Sequence, residues 1–188
     1  MSELKDEQIA SFVQKGDATA FGELVERFEP KMMRYAKRFL FNIQDAEDVV
    51  QEVFLKAYIN IKSFDSARRF SPWLYRIAHN EFVNELSKRH RQPVLNFDFD
   101  LLFPQPVAKE TADDAAHRHD LRRFLDTYLD KISPKYRELL VLYYYEEMDY
   151  KEISEILQIP TSTVGVRLAR GKAALKKLLS RDNVTYDG

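Results

Sequence analysis

A short helix, a tight break and a longer basic helix are predicted over residues 150–179, and no other segment constrains the fold as strongly. In the first helix apolar residues recur at a spacing of three to four, at Ile153, Ile156 and Leu157. This spacing is typical of a helix with one buried face. Residues 158–160 end the pattern with a proline, and Thr161 or Ser162 is expected to cap the helix that follows.

The second helix is expected to carry one apolar stripe and a basic remainder. The stripe consists of Val164, Leu168, Gly171, Leu175 and Leu178, and the cations are Arg167, Arg170, Lys172, Lys176 and Lys177. No acidic residue occurs between Glu155 and Asp182. Two helices across a tight turn, the second of them cationic, indicate a helix-turn-helix that enters the major groove of DNA. The alternative is a helical hairpin whose basic face is only solvated.

Composition predicts an all-α protein. The chain has 188 residues, of which 45% are hydrophobic and only 5 are glycine, and it has no alternating strand pattern. It contains no cysteine, which excludes disulfides and thiolate metal sites. Neither a signal peptide nor a membrane-spanning run is visible, so we expect a soluble cytoplasmic protein. The formal net charge of -1 conceals alternating basic and acidic segments, and such local patches govern attraction to phosphate.

Two small helical bundles joined by a flexible tether are predicted. The first bundle spans residues 6–92 and comprises five helices, with Asp17 as the cap of the second and with the third at about 30–40. After a polar loop, Ser71 and Pro72 are expected to open the fifth helix as its cap and its first turn.

The tether spans residues 93–115 and contains three prolines and an excess of acids, which argue against a long helix. Its large apolar residues between 95 and 103 are expected to pack on this protein or on a partner. The second bundle spans residues 116–181 and contains four helices, of which Ser133 and Pro134 open the second.

Three segments resemble the bacterial sigma-70 family, specifically its small extracytoplasmic-function (ECF) sigma factors. DAEDVVQEVFLKAY at 45–58 is similar to the family's core-polymerase-binding helix. SFDSARRFSPWLYRIAHN at 63–80 is similar to its promoter-melting loop and helix, and residues 133–175 are similar to its −35-reading domain. The three segments occur in the family's order and at its spacing, over nearly the whole chain. The resemblance implies that the bundles are sigma regions 2 and 4 of an RNA polymerase initiation factor.

The resemblance implies that the helix over 45–58 binds the clamp helices of the polymerase's largest subunit through Asp48, Gln51 and Glu52. These residues form a polar strip at helical spacing. Carboxylates and an amide can accept charge-assisted hydrogen bonds from arginines on a partner helix. The alternative for such a strip is simple solvation.

The resemblance also implies that the loop at 63–71 and the helix after it capture a flipped base of the promoter's −10 element. The expected −10 contacts are Lys56, Phe64, Arg68, Arg69, Ser71, Trp73, Arg76, Ile77 and Asn80. Phe64 is the expected stacking surface, and Asn80 supplies a donor and an acceptor for a base edge. Ser71 and Ile77 are expected to wall the pocket, and the three arginines to follow phosphates. In the alternatives Phe64 anchors the core, and Asn80 caps a helix or is solvated.

Readout of the −35 element is expected from the basic helix at 161–179. The expected contacts are Ser162, Thr163, Arg167, Arg170 and Lys172. Family members commonly carry a basic residue and a serine where this chain has Gly165 and Val166. Either Thr163, Arg167 and Arg170 therefore read the bases, or the helix lies closer to the DNA backbone.

No metal, cofactor or enzymatic activity is expected. His117 and His119 would point apart on a helix, and neither a nucleophile–base arrangement nor a P-loop is visible. The expected partners are RNA polymerase core, promoter DNA and an anti-sigma factor, with no membrane association and a monomeric free state. Two other functions remain open: a DNA-binding regulator that uses only the helix-turn-helix, and a decoy that binds polymerase without initiating.

Overall fold

A computed structural model of the chain describes residues 4–37, 43–90, 125 and 127–182. The chain folds as two compact units, Met1–Leu95 and Asn96–Gly188. All regular secondary structure in the described ranges is helical, which confirms the all-α fold predicted from the sequence. None of the helices in these ranges is long and apolar enough to cross a lipid bilayer. The predicted tether at 93–115 lies outside the described residues, as do His117 and His119.

The described part of the first unit contains four α-helices. They are α1 Asp6–Gln14, α2 Ala20–Lys37, α3 Ile43–Asn60 and α4 Phe70–His90. A short 3-10 helix, Ile61–Ser63, follows α3 directly. α2 packs against α1 and α3, and α3 packs against α4. Asp17 accepts the backbone N–H groups of Thr19 and Ala20 at the start of α2, which confirms its capping role.

α2 is one continuous helix where the sequence indicated two. Pro30 lies inside it at an exposed position. Leu24, Phe28, Met32 and Tyr35 are all at most 1% exposed, so the buried stripe continues at helical spacing on both sides of the proline. The packing of that stripe compensates for the backbone hydrogen bond that a proline removes. The boundary predicted near residue 30 is therefore wrong.

The start of α4 also differs from the prediction. The helix begins at Phe70, so Ser71 lies in its first turn and is not its cap. The carboxylate of Glu7, on α1, instead accepts the backbone N–H of Phe70 at 2.9 Å. The first N–H groups of a helix have no partner within the helix. At the start of α4 a side chain distant in sequence accepts one of them.

The described part of the second unit contains α5 Pro134–Tyr144, α6 Tyr150–Leu157 and α7 Thr161–Arg181. α5 starts at Pro134 as predicted. The helix expected before it lies mostly outside the described residues. α7 packs against α5 and α6, and the crossing with α5 is close at Gly171. A Cβ atom there would approach the Leu140 side chain to 3.2 Å, so the absence of a side chain permits this approach.

The break between α6 and α7 is a tight turn, as the sequence indicated. Gln158 ends α6 in the left-handed conformation, with a φ of 53°. Ser154 Oγ donates to Ile159 O at 2.6 Å and braces the turn. α7 begins at Thr161, so Thr161 and Ser162 lie inside the helix and neither caps it. The N-cap position is Pro160, which makes no side-chain hydrogen bond, and the predicted cap is wrong.

Candidate nucleic-acid interface

α3 presents a polar strip that continues into exposed apolar residues. Asp48, Gln51 and Glu52 are exposed. Farther along α3, Leu55 is 53% exposed and Ile59 is 67% exposed. Positions 48, 52, 55 and 59 repeat every three to four residues and therefore share one helix face. Leu55 and Ile59 were not singled out from the sequence. The available signal was that both lie off the buried apolar stripe of α3, which includes Val50, Val53 and Ala57.

An exposed aromatic residue extends this surface. Tyr58 is 42% exposed, and its ring contacts that of Phe21 on α2 edge to face, with centroids 5.1 Å apart. Exposed large apolar side chains that adjoin one another usually mark an interaction surface. We name Asp48, Gln51, Glu52, Leu55, Tyr58 and Ile59 the α3 surface.

Lys56 is held by two carboxylates. Its Nζ lies 2.6 Å from Glu81 Oε2 and 3.5 Å from Glu52 Oε1. The hydrogen bond with Glu81 is the main cause of a raised pKa at Lys56. Glu81 directly follows Asn80 in α4, so the ion pair connects α3 with the predicted base-capture position. Glu81 was missed by sequence reasoning, because only the packing of α3 on α4 brings it to Lys56.

Phe64 belongs to a buried aromatic cluster. It is 5% exposed, and its ring centroid lies 5.3 Å from those of Phe70 and Trp73. Phe28, on α2, extends the cluster through Phe70 at 5.4 Å. A base requires an open ring face to stack on, and Phe64 does not present one. The stacking role expected for Phe64 is therefore wrong in this conformation, and the alternative, an anchor in the core, agrees with its contacts.

The loop after Phe64 is exposed, and the helix beyond it carries the other predicted −10 residues. Arg68, Arg69, Arg76 and Asn80 are exposed, whereas Ser71, Trp73 and Ile77 are half-buried. Trp73, Ile77 and Asn80 follow one another at three to four residues and form one stripe of α4. The structure thus brings an amide, an apolar side chain and an aromatic ring onto one helix face, and the ring of Trp73 contacts Phe64 at the start of the loop.

The first turns of α7 are less accessible than expected. Six consecutive residues, 163–168, are buried. Because neighbouring helical residues are about 100° apart, such a run is covered on every side. Thr163 and Arg167 are 7% and 8% exposed, so the expectation that Arg167 projects away from the buried stripe is wrong here. Burial lowers the pKa of Arg167 below its usual value. Ser162 is exposed, and Arg170 and Lys172 are half-buried.

Comparison with known proteins gives each part of the chain a family. Residues 24–92 match the family described as Sigma-70 region 2, and residues 123–175 match Sigma-70, region 4. The two matches cover the polar strip, the loop, α4 and the helix-turn-helix. They define a sigma-70-type transcription factor.

Individual relatives show which group of the sigma-70 family the chain belongs to. The chain is 38% identical over 175 residues to the ECF RNA polymerase sigma factor SigW of Bacillus subtilis, covering 89% of this chain and 92% of that protein. The solved structure of CnrH with the cytosolic domain of CnrY is similar with a TM-score of 0.65 at 27% identity, covering 94% and 98% of the two chains. RpoE of Bartonella quintana, solved with the anti-sigma factor NepR, is similar with a TM-score of 0.63 at 27% identity, covering 86% and 98%. The chain belongs to the ECF RNA polymerase sigma factors.

Proposed function

We propose that this chain binds core RNA polymerase through the α3 surface, captures a −10 nucleotide between the loop at 65–69 and α4, and contacts the −35 element with α7. The observation that carries the proposal is the position of two distinct exposed surfaces on adjacent helices of one unit. The α3 surface fits a protein partner, and the loop with Asn80 fits DNA. One small unit can therefore hold polymerase and promoter at the same time.

Core binding draws on the mixed chemistry of the α3 surface. Asp48 and Glu52 can accept charge-assisted hydrogen bonds from arginines of the clamp helices, at about 1.5–3 kcal/mol each. Leu55 and Ile59 add apolar anchors, since full burial of such a side chain contributes about 1.5–3 kcal/mol. Adjoining exposed leucine, tyrosine and isoleucine side chains in line with the acids favour a protein contact over simple solvation.

Base capture at −10 is assigned to Asn80, with Ile77 and Trp73 beside it on α4. The amide pairs with a base edge, and the half-buried tryptophan supplies aromatic surface beside the captured nucleotide. Arg68, Arg69 and Arg76 then hold phosphates, which makes affinity depend on salt without adding sequence information. Lys56 contributes positive charge near Asn80, and in the free protein it forms an ion pair with Glu81. Phe64 keeps the loop anchored, and Ser71 lies at its end.

Contact with the −35 element is assigned to Ser162, Arg170 and Lys172. Arginine can bind guanine through two hydrogen bonds, and Arg170 is the accessible arginine of the predicted pair. Thr163 and Arg167 join these contacts only in a conformation that uncovers the first turns of α7.

The same reasoning extends to partners and location. Two of the similar structures were solved as complexes, CnrH with the cytosolic domain of CnrY and the sigma factor RpoE with the anti-sigma factor NepR. We propose that an anti-sigma factor binds this chain on exposed apolar surface such as Leu55 and Ile59, that the free protein is monomeric, and that it acts in the cytoplasm without enzymatic activity. The predicted boundaries of 6–92, 93–115 and 116–181 remain part of this proposal.

A charge reversal tests core binding. Asp48→Lys with Glu52→Lys should lower affinity for core polymerase by at least about 100-fold, because two charge-assisted hydrogen bonds are lost. The matched control is Glu26→Lys with Glu29→Lys, which makes the same charge change at two exposed positions of α2. Fluorescence anisotropy of N-terminally labelled protein titrated with core enzyme measures both. Equal affinity of the two double variants would reject the assignment.

A further inference from the structure

α1 is hydrogen-bonded to the start of the loop at 65–69, which we call the −10 loop. The side-chain amide of Gln14 donates to two backbone carbonyls at once, Ile61 O at 2.8 Å and Phe64 O at 2.7 Å. These carbonyls belong to the turn that leads out of α3 into the loop. Ile61 O also accepts the backbone N–H of Phe64 at 3.1 Å. The Gln14 amide therefore binds both residues of a turn that is already closed by a backbone hydrogen bond.

α1 also holds the other end of the same loop. The carboxylate of Glu7 accepts the backbone N–H of Phe70, the first residue of α4. Glu7 and Gln14 lie seven residues apart, which is two helical turns, so they project from the same face of α1. One face of one helix therefore binds both ends of a loop that lies about fifty to sixty residues away in sequence.

The segment between these two attachments is exposed but ordered by its own hydrogen bonds. Residues 65–69 are all exposed. Asp65 Oδ1 accepts the backbone N–H of Ala67 at 3.0 Å, and Asp65 O accepts that of Arg68 at 2.9 Å. The loop is thus a short turn with two fixed ends and exposed residues between them.

We propose that Gln14 and Glu7 are positioning residues for −10 capture, and that α1 sets the shape of the loop that receives the flipped base. The inference rests on the function proposed above. The family match to region 2 begins at residue 24, so α1 and both of these residues lie outside it. Their role emerges from hydrogen bonds that only the folded unit brings together.

The physical effect is preorganisation. A loop with free ends must lose conformational freedom when it closes on a nucleotide, and that loss weakens binding. Attachments already made in the free protein remove this cost and keep the loop at a fixed distance from Asn80. Discrimination between bases depends on that distance, so loosened ends reduce specificity before they reduce binding to polymerase.

The test uses holoenzyme assembled from core polymerase and full-length chain. The holoenzyme is allowed to bind short DNA single strands that contain a randomised window of about six nucleotides. Sequencing of the bound strands gives the enrichment of the best motif. Gln14→Ala and the isosteric Gln14→Glu, which cannot donate to a carbonyl, should both lower enrichment about five- to tenfold. Glu7→Ala should do the same, whereas Glu7→Gln keeps an acceptor oxygen and should restore most of it. Gln8→Ala is the matched control, because the Gln8 side chain accepts only the local Lys5 N–H among the hydrogen bonds described for it.

Two further readouts separate positioning from general folding. Affinity for core polymerase should stay near wild type in all five variants. The unfolding midpoint followed by Trp73 fluorescence should fall only modestly in Gln14→Ala, Gln14→Glu and Glu7→Ala, because the lost hydrogen bonds also stabilise the folded unit, and should leave these variants folded under the assay conditions. Enrichment that is unchanged in the Gln14 variants, or that falls in parallel with core affinity and the unfolding midpoint, would overturn the inference. A wild-type holoenzyme that enriches no motif would instead refute the proposed function itself, and this inference with it.

Discussion

Replacing Phe64 with alanine separates an anchoring role from a stacking role. The side chain is 5% exposed, and its ring centroid lies 5.3 Å from those of Phe70 and Trp73, which are themselves 5.5 Å apart. Removal of a buried phenylalanine costs about 3–5 kcal/mol, because transfer free energy is lost and a cavity remains. A domain has about 5–15 kcal/mol of stability in total. We therefore expect Phe64→Ala to lower the free energy of unfolding of the first unit by about 3–5 kcal/mol, and Phe64→Leu to lower it by much less.

Urea unfolding of the full chain measures this effect. The chain has one tryptophan, and Trp73 lies in the aromatic cluster, so its fluorescence reports the first unit; far-UV circular dichroism gives an independent transition. If Phe64 instead served as a stacking platform, both variants would unfold close to wild type. They would also lose about 1–3 kcal/mol of affinity for single-stranded promoter DNA. That pattern would refute the anchoring role.

Four further substitutions have defined outcomes. Gly22→Ala should raise the free energy of unfolding by about 0.5–1 kcal/mol in urea titrations, since a Cβ there meets no atom within 4 Å in the helix. Lys56→Gln should lower the free energy of unfolding at pH 7 by only about 1 kcal/mol, because the ion pair that it removes, with Glu81, is partly exposed. The raised pKa of Lys56 means that this contribution is complete below about pH 10.4 and disappears as the pH rises through the raised value, which unfolding at several pH values detects. Arg170→Ala should weaken and relax −35 selection in binding assays, while Lys176→Ala should lower affinity equally for matched and scrambled sites.

Local features of the fold were predictable from the sequence. The tight turn before α7 follows from the apolar spacing of α6 and from Pro160, and all the interactions that define it lie within a few residues. The same holds for the start of α5 at Pro134 and for the cap at Asp17. In each case the residues that determine the structure are neighbours in the chain.

Features that depend on distant contacts were not predictable. A separate third helix was expected to begin at about Pro30, but the stripe that buries α2 continues past this residue. Ser71 was a sound local candidate for a cap, yet Glu7 from another helix takes that position. No spacing rule connects residues 7 and 70, since only the packing of α1 beside α4 brings them together.

The candidate site divides in the same way. The polar strip of α3 follows from helical periodicity, and its exposure agrees with the sequence pattern. Whether Phe64 stacks on a base or anchors a core depends on rings that α2 and α4 bring together. The burial of Arg167 depends on packing around the whole circumference of α7. Residue type alone does not distinguish these roles, because burial is a property of the folded unit.

Transcription with purified core polymerase tests whether this chain directs initiation. Fragmented genomic DNA from the source bacterium serves as template, and the 5′ ends of the transcripts are sequenced with and without this chain. We expect new start sites that require the chain, share −10 and −35 motifs, and disappear with Asp48→Lys and Glu52→Lys. A chain that binds core tightly and yields no new start site would contradict it, and would identify a decoy instead.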